Sequence, residues 1–252
     1  MKFKNLLLLL IAVSMTLSLA GCKKKSDLNI TKLVFATDAT WPPMEMVDEN
    51  KNIVGFDIDF IKAVGEAAGF EVEVKNVAWD GIFTGLNSKK YDGVISSVTI
   101  TDERKQQMDF STPYINAGQV IIVRAESEGL TTMADFQEKK LGAQIGTTGA
   151  LEITKNPLII SKNYDELGLA IEDLINGRLD GVVADTPIAA NYALQNPGYK
   201  GKLKIVGVPF TDEFYGIAIQ KGNKKALDLI NAGIELVLGT DKYKEIEKKW
   251  LR

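Results

Sequence analysis

The chain has 252 residues, 45% hydrophobic, 25% charged and 8% aromatic, which is the composition of a globular protein and the length of one large domain or two ordinary ones. It contains no histidine and one cysteine, which excludes Ser-His-Asp and Cys-His nucleophiles, histidine bases, most zinc sites, internal disulfides and Cys-x-x-Cys motifs. A formal net charge of −3 offers no general attraction to nucleic acid, and none is expected as a partner.

In chain order, Lys2 and Lys4 precede a run, residues 6–20, that is apolar apart from Ser14, Thr16 and Ser18. It is shorter than the ~20 residues that span a bilayer and reads as the apolar region of a secretory signal. It ends in Leu19-Ala20-Gly21-Cys22. This resembles a bacterial lipobox, which implies a signal peptide over 1–21, a lipid (palmitate) on Cys22 and a tether over 22–30. An uncleaved anchor with an incidental cysteine is the alternative. Lys23-Lys24-Lys25 either touch anionic headgroups or belong to a plain solvated tether. The remainder is expected to be exported and held at a membrane.

Beyond the tether, short apolar runs alternate with amphipathic segments. Strands are predicted at 32–37, 71–77, 93–95, 119–123, 141–145, 158–162, 181–184, 204–208 and 215–219. Helices are predicted at 57–68, 81–88, 102–108, 151–155, 165–176, 187–195, 224–238 and 242–250. The alternation argues for an α/β fold with mainly parallel sheets. Residues 86–97 (LNSKKYDGVISS) echo residues 175–185 (INGRLDGVVAD). Each reads as a helix end, an Asp-Gly turn, a short apolar strand and then polar residues. The echo suggests two lobes built alike, and it aligns Ser96 and Ser97 with Ala184 and Asp185 past the carboxyl ends of equivalent strands. That edge of an open α/β sheet is where ligands bind.

Several residues stand out along that edge. Thr101 can cap the helix that carries Arg104 in its first turn, where a cation opposes the helix dipole and is better placed to meet an anion. The turn Gly146-Thr147-Thr148-Gly149-Ala150 is not a P-loop, yet it can present N–H groups and a hydroxyl to a carboxylate. In Asp185-Thr186-Pro187, Thr186 reads as an N-cap and Pro187 as the first helical residue, which leaves Asp185 without a structural task. Asp38 follows a strand, where an Asx-turn would also account for it. Trp41 and Trp79 fall in loops and serve either as packing or as flat walls for a ligand. Arginine, aspartates, hydroxyls and aromatics at strand ends in two lobes suit a zwitterion.

The segments Phe35-Ala-Thr-Asp38, Trp41-Pro-Pro-Met-Glu45, Gly55-Phe-Asp-Ile-Asp59, Asp92-Gly-Val-Ile-Ser-Ser97, Thr99-Ile-Thr-Asp-Glu-Arg104, Asp109-Phe-Ser-Thr-Pro-Tyr114, Gly146-Thr-Thr148 and 243–250 resemble, in order and spacing, the bacterial extracytoplasmic solute-binding proteins for polar amino acids. These are receptors of ABC importers, similar to the glutamine-binding and histidine- or lysine/arginine/ornithine-binding proteins. The resemblance runs from about residue 33 to 250. It implies a type II periplasmic-binding fold in which 31–116 plus 213–252 form lobe 1 and 117–212 form lobe 2, joined by two crossovers. By the same resemblance Arg104 grips the ligand carboxylate, assisted by Thr99 and Thr148. Asp185 takes the ammonium with groups at Ser97, Trp41 and Trp79 sandwich the side chain, Asp38 reaches its tip, and Ser96 lines the pocket. Gln144 and Gly149 fall where such proteins vary with ligand, and Ala184 replaces a polar residue of the glutamine receptor.

The resemblance implies a receptor and not an enzyme, with no cofactor or metal. Its expected partners are a small L-amino acid, an ABC permease with its ATPase, and the membrane through Cys22; the chain itself is expected to be monomeric. Asp38 and the two tryptophan faces favour a cationic tip, arginine or lysine, ahead of glutamine or histidine. The alternatives are a glutamine or histidine receptor of the same type, or an enzyme like the secreted cyclohexadienyl dehydratases, which resemble the same fold. A sensor role would need a separate partner.

Overall fold

The computed structural model describes residues 31–252. The signal peptide, the tether and the lipidation of Cys22 expected from sequence lie outside the described residues. Two five-stranded sheets organise the chain. In spatial order the first contains Glu71–Asn76, Lys32–Thr37, Gly93–Val94, Ala218–Gln220 and Met108–Phe110. The second contains Ile160–Tyr164, Lys140–Gln144, Gly181–Asp185, Gln119–Arg124 and Leu203–Val206. In both sheets the first three strands are parallel, the fourth runs against them and the fifth returns to the common direction. One reversed strand in each leaves the sheets mainly parallel, as the alternation of strands and helices predicts. Ile115–Asn116 and Phe214–Tyr215 pair antiparallel where the chain passes from one sheet to the other and back.

The sequence echo has a physical basis. Asp92 and Asp180 each open a central strand. Asp92 accepts the N–H of Val34 on its carboxylate at 2.8 Å and donates its own N–H to the carbonyl of Val34. Asp180 does the same to Lys140, again at 2.8 Å. Each aspartate thus clips its strand to the neighbour at one register. The glycine next in sequence is required by packing. A Cβ at Gly93 would meet the Phe35 ring at 2.9 Å, and one at Gly181 would meet Leu141 at 2.8 Å and Phe136 at 2.9 Å. The Asp-Gly pair is therefore a joint that lets a helix feed a buried parallel strand, used once in each sheet.

Helices cover the sheets through apolar stripes. Phe56–Ala68 buries Phe56, Phe60, Ile61 and Val64 and stops at Gly69, whose φ of 77° closes a left-handed cap. It packs on Lys224–Val237, which contributes Ile230 and Ile234 to the same core. Each such side chain stabilises the fold by about 1.5–3 kcal/mol on burial. Asp241–Trp250 closes over this layer, where the Tyr243 ring meets Phe56 and Phe60 edge-on. No described helix is long and apolar enough to cross a membrane.

Several expectations need correcting. The strand predicted at 215–219 is two, because Phe214–Tyr215 belongs to the crossover pair and Ala218–Gln220 to the first sheet. The helix predicted at 187–195 begins at Thr186 and passes from α into a π turn at Asn191–Gln195. Ile188, Ala189, Tyr192 and Ala193 reach the core with either winding, so periodicity does not separate the two. Thr186 is then the first helical residue, and Asp185 occupies the cap position without a side-chain capping bond. Trp79 opens the helix Trp79–Asn87, and Trp41 sits in the two-residue strand Thr40–Trp41; neither is in a loop. That strand, Glu45–Val47 and Ile53–Val54 form a small antiparallel meander. Strands of two or three residues are too short to carry an alternation.

Candidate functional site

The carboxyl ends of four strands converge between the two sheets. Lys32–Thr37 hands over to Asp38, Gly93–Val94 leads to Ser96 and Ser97, and Lys140–Gln144 and Gly181–Asp185 end on the residues that face them. They enclose a narrow cavity. Asp38, Trp41, Trp79, Ser96, Ser97, Thr99, Arg104, Gln144, Thr148 and Asp185, all expected from sequence, line it. Gly149 does not. It sits behind the wall, where a Cβ would stand 2.8 Å from Gln119 Oε1 and 3.2 Å from Val183. Its lack of a side chain lets the helix Thr148–Thr154 start close against the sheet.

Arg104 is placed by a local device. Thr101 caps the helix Asp102–Gln107 by accepting the N–H of Arg104 at 3.1 Å, which fixes the first turn. The guanidinium then donates to the carbonyl of Thr99 at 2.8 Å and, across the cleft, to that of Gly146 at 3.2 Å. It lies over the rings of Trp79 at 5.5 Å and Phe83 at 5.3 Å. A planar cation held by carbonyls and ring faces still has donors to offer a carboxylate.

On the opposite wall, Thr147 caps the helix Thr148–Thr154 by accepting the N–H of Ala150 and donates its hydroxyl to the carbonyl of Gln144 at 2.7 Å. Thr148 thereby reaches the carboxylate of Glu213 at 2.7 Å, and Thr99 reaches the same oxygen from the first sheet at 3.0 Å. Asp185 accepts from Gln119 Nε2 at 2.9 Å. Burial, with the nearby Glu213 carboxylate adding to it, pushes Asp185 up to about 7. A buried carboxylate with one amide donor and a like charge beside it is a site prepared for a cation.

At the other end of the cavity, Asp38 accepts from Thr40 Oγ1 at 2.9 Å and from Gln144 Nε2 at 3.0 Å, which ties the two walls together. Burial raises its carboxyl above the ordinary range, although these hydrogen bonds oppose the rise. Glu45, fully buried on the meander, also lines the cavity. It accepts from Ser96 Oγ at 3.0 Å and from Ser97 Oγ at 3.3 Å. Ser97 itself has a φ of 50°, a left-handed conformation that is costly for a non-glycine residue. Its N–H donates to Asp57 at 2.8 Å, and that bond holds the turn.

Sequence reasoning missed Glu45, Thr147, Gln119 and Glu213 as parts of the site. Glu45 carried a signal, being an acid between Met44 and Met46 in an otherwise apolar stretch. Thr147 belonged to the turn already singled out. Gln119 and Glu213 carried none, since their position depends on where the chain crosses between the sheets. Among the described residues no cluster of three acidic, histidine or cysteine side chains is arranged to hold a metal ion.

Residues 33–252 match the family model described as bacterial extracellular solute-binding proteins, family 3. The chain is 37% identical over 221 residues to a probable histidine-binding protein of Neisseria gonorrhoeae, covering 85% of this chain and 81% of that one. It is 35% identical over 225 residues to ABC transporter arginine-binding protein 1 of Escherichia coli, covering 87% and 90%. An ancestral arginine-binding protein solved with arginine bound superposes with a TM-score of 0.82 at 41% identity, covering 88% of this chain and 98% of that one. The same description has also been solved bound to glutamine, with a TM-score of 0.81 at 41% identity over 87% and 97% of the chains.

Proposed function

This chain belongs to the bacterial extracellular solute-binding proteins of family 3, and from that premise we propose that it is the receptor of an ABC importer for an L-amino acid with a cationic side chain, arginine or lysine. The observation that carries the choice is the charge of the cavity. Asp38, Glu45 and Asp185 line it, Glu213 stands behind Asp185, and Arg104 is the one cation among its lining residues. The ligand carboxylate takes the free donors of Arg104, a pairing that a guanidinium makes bidentate. The ammonium goes to Asp185, whose single amide donor leaves lone pairs unfilled. The side chain runs between Trp41 and Trp79, and its tip meets Asp38 and Glu45, where a guanidinium or ammonium supplies both donors and opposite charge.

Ligand groups are thus divided between the two sheets. A molecule that bridges them stabilises a closed arrangement of lobes 31–116 plus 213–252 and 117–212 over an open one. The reading as a receptor and not an enzyme is supported by the relatives that the chain matches, which are named as binding proteins. We place the protein outside the cytoplasm, anchored through a lipid on Cys22, as a monomer that hands its ligand to a permease.

Calorimetric titration with arginine, lysine, histidine, glutamine and glutamate tests the reading. Arginine or lysine should bind most tightly and glutamate least, because an acidic tip meets like charge. If glutamate or an apolar amino acid wins, the basic-ligand assignment fails. A second reading, glutamine, is favoured by the Gln144 amide beside Asp38, which can adapt to a carboxamide; the same titration decides it. The anchor is tested by Cys22→Ser, which should release the protein from membranes or block its processing with ligand affinity unchanged. Mass spectrometry of native protein without lipid at Cys22 would remove that part.

A further inference from the structure

Behind the side-chain end of the cavity lies a second acid that the proposed ligand does not touch. Asp57 opens the helix Phe56–Ala68, is completely buried, and accepts the N–H of Ser97 at 2.8 Å and the hydroxyl of Tyr114 at 2.9 Å. Glu45, equally buried, accepts both serine hydroxyls from the same turn, so that the two carboxyl groups grip one residue, Ser97, through its N–H and its hydroxyl. Two fully buried carboxyl groups that meet on one residue with no cation between them are not both ionised without a large desolvation and like-charge cost, which a shared proton removes. The other groups that face the pair bring no positive charge, although the Tyr114 hydroxyl donates to Asp57. They are the carboxylate of Asp38 and the hydroxyls of Tyr114 and Tyr215, the latter fully buried without a hydrogen-bond partner. None of the ion pairs among the described residues includes Glu45 or Asp57. The nearest cation on the cavity wall, Arg104, is directed to Thr99 and Gly146.

We propose that Glu45 and Asp57 hold one proton between them, and that Glu45, the member facing the cavity, gives it up when the tip of the ligand is cationic and keeps it when the tip is an uncharged amide. The inference rests on the reading of the cavity as an amino-acid site. In the step, the carboxyl O–H bond of Glu45 breaks, its electron pair stays on the carboxylate, and the proton passes to buffer. A guanidinium or ammonium takes its place as the partner of the oxygen. With a carboxamide ligand the protonated carboxyl instead donates to the amide oxygen. The pair therefore serves as a selector that makes the preference for cationic over neutral polar amino acids depend on pH.

The direction of both shifts agrees. Burial, with Asp57 beside it, lifts Glu45 well above the ordinary range, and burial lifts Asp57 to about 6. Because the bound state with a cationic ligand has lost a proton, affinity for arginine should rise with pH until the pair ionises unaided, by up to tenfold per pH unit. Asp185 also stands raised, to about 7. Its proton is displaced by the ligand ammonium, which arginine and glutamine share, so it cancels from any comparison between them.

The test is calorimetric binding of L-arginine at pH 7 in buffers of different ionisation enthalpy, on the purified protein and on Glu45→Gln. Wild type should release close to one proton more than Glu45→Gln. It should also release close to one more with arginine than with L-glutamine or L-citrulline. Equal proton counts for wild type and Glu45→Gln overturn the proposal, as does loss of the extra proton in Asp38→Asn with its retention in Glu45→Gln. Should Glu45→Gln fail to fold, the pH dependence of arginine affinity in wild type between pH 6 and 8 decides. Once the shared Asp185 contribution is removed by the glutamine or citrulline reference, a flat profile overturns the proposal. If none of these amino acids binds, the functional reading itself falls, which is a different result from binding without proton release.

Discussion

Arg104 donates to two backbone carbonyls, one on each side of the cleft, and in the proposed function its remaining N–H groups take the ligand carboxylate. Arg104→Ala should leave the fold intact and weaken amino-acid binding by roughly 3 kcal/mol or more, because a desolvated carboxylate loses a charged partner. Arg104→Lys should recover little, since an ammonium cannot present two parallel donors. Unchanged affinity in a folded Arg104→Ala protein, read by calorimetry, would remove the carboxylate clamp. At the other end, Asp38→Asn should weaken arginine by about 2 kcal/mol and glutamine far less, because the change removes a charge and keeps the shape. Trp79→Ala should weaken arginine by about 1–2 kcal/mol through lost stacking. Trp79 also carries the face on which Arg104 rests, so a part of that loss should appear with every amino acid tested.

Single elements set the positions that these residues need. The short helix Asp102–Gln107 buries no side chain of its own, so its start depends on the cap. Thr101→Ala should lower stability by about 1 kcal/mol. It should also weaken ligand binding, because the N–H that Thr101 accepts belongs to Arg104 itself. Urea unfolding separates the two effects: a shift in midpoint with unchanged affinity would show that the cap holds the helix and does not aim the guanidinium. The two Asp-Gly joints are the counterpart in the sheets. Asp92 and Asp180 each satisfy a strand N–H with the carboxylate. Their similar roles explain why a brief repeat of residues survives in two places of different overall sequence.

For the molecule as a whole, several buried carboxyls have been raised, and the direction of the shift sets the sign of their effect on stability. Asp57 at about 6 and Asp185 at about 7 bind a proton more tightly folded than unfolded. Their contribution is complete below the ordinary carboxylate range and is lost as pH rises through 6 and 7. The ligand-free protein should therefore melt at a lower temperature at pH 8 than at pH 5. Each kcal/mol lost corresponds to roughly 2–4 °C for a chain of this size. A saturating cationic ligand should remove much of the difference, since it supplies the missing charge. It should add about 2.7 kcal/mol at a concentration one hundred times its Kd. Thermal melts at the two pH values, with and without arginine, check both statements. A ligand-free protein more stable at pH 8 would contradict the burial of these acids.

How much of this was legible in the residues depends on the range over which each feature is determined. Local features were. The α/β alternation, the cap at Thr101, the echo at Asp92 and Asp180, and the gathering of Asp38, Ser96, Ser97, Arg104 and Asp185 at strand ends all derive from spacing and residue chemistry within a few positions. Chain stretches of two or three residues were not, because the meander at Thr40–Trp41, Glu45–Val47 and Ile53–Val54 is defined by partners and not by pattern. The split of residues 214–220 between a crossover pair and a sheet has the same cause. Only the tertiary structure decided that Glu45 faces the cavity and shares Ser97 with Asp57, that Gly149 stands behind the wall, and that Glu213 reaches Thr99, Thr148 and Gln119 together. Each depends on groups from distant parts of the chain being excluded from water at one point. Burial is a property of the packed whole, and it is burial that lifts these carboxyls above their ordinary range.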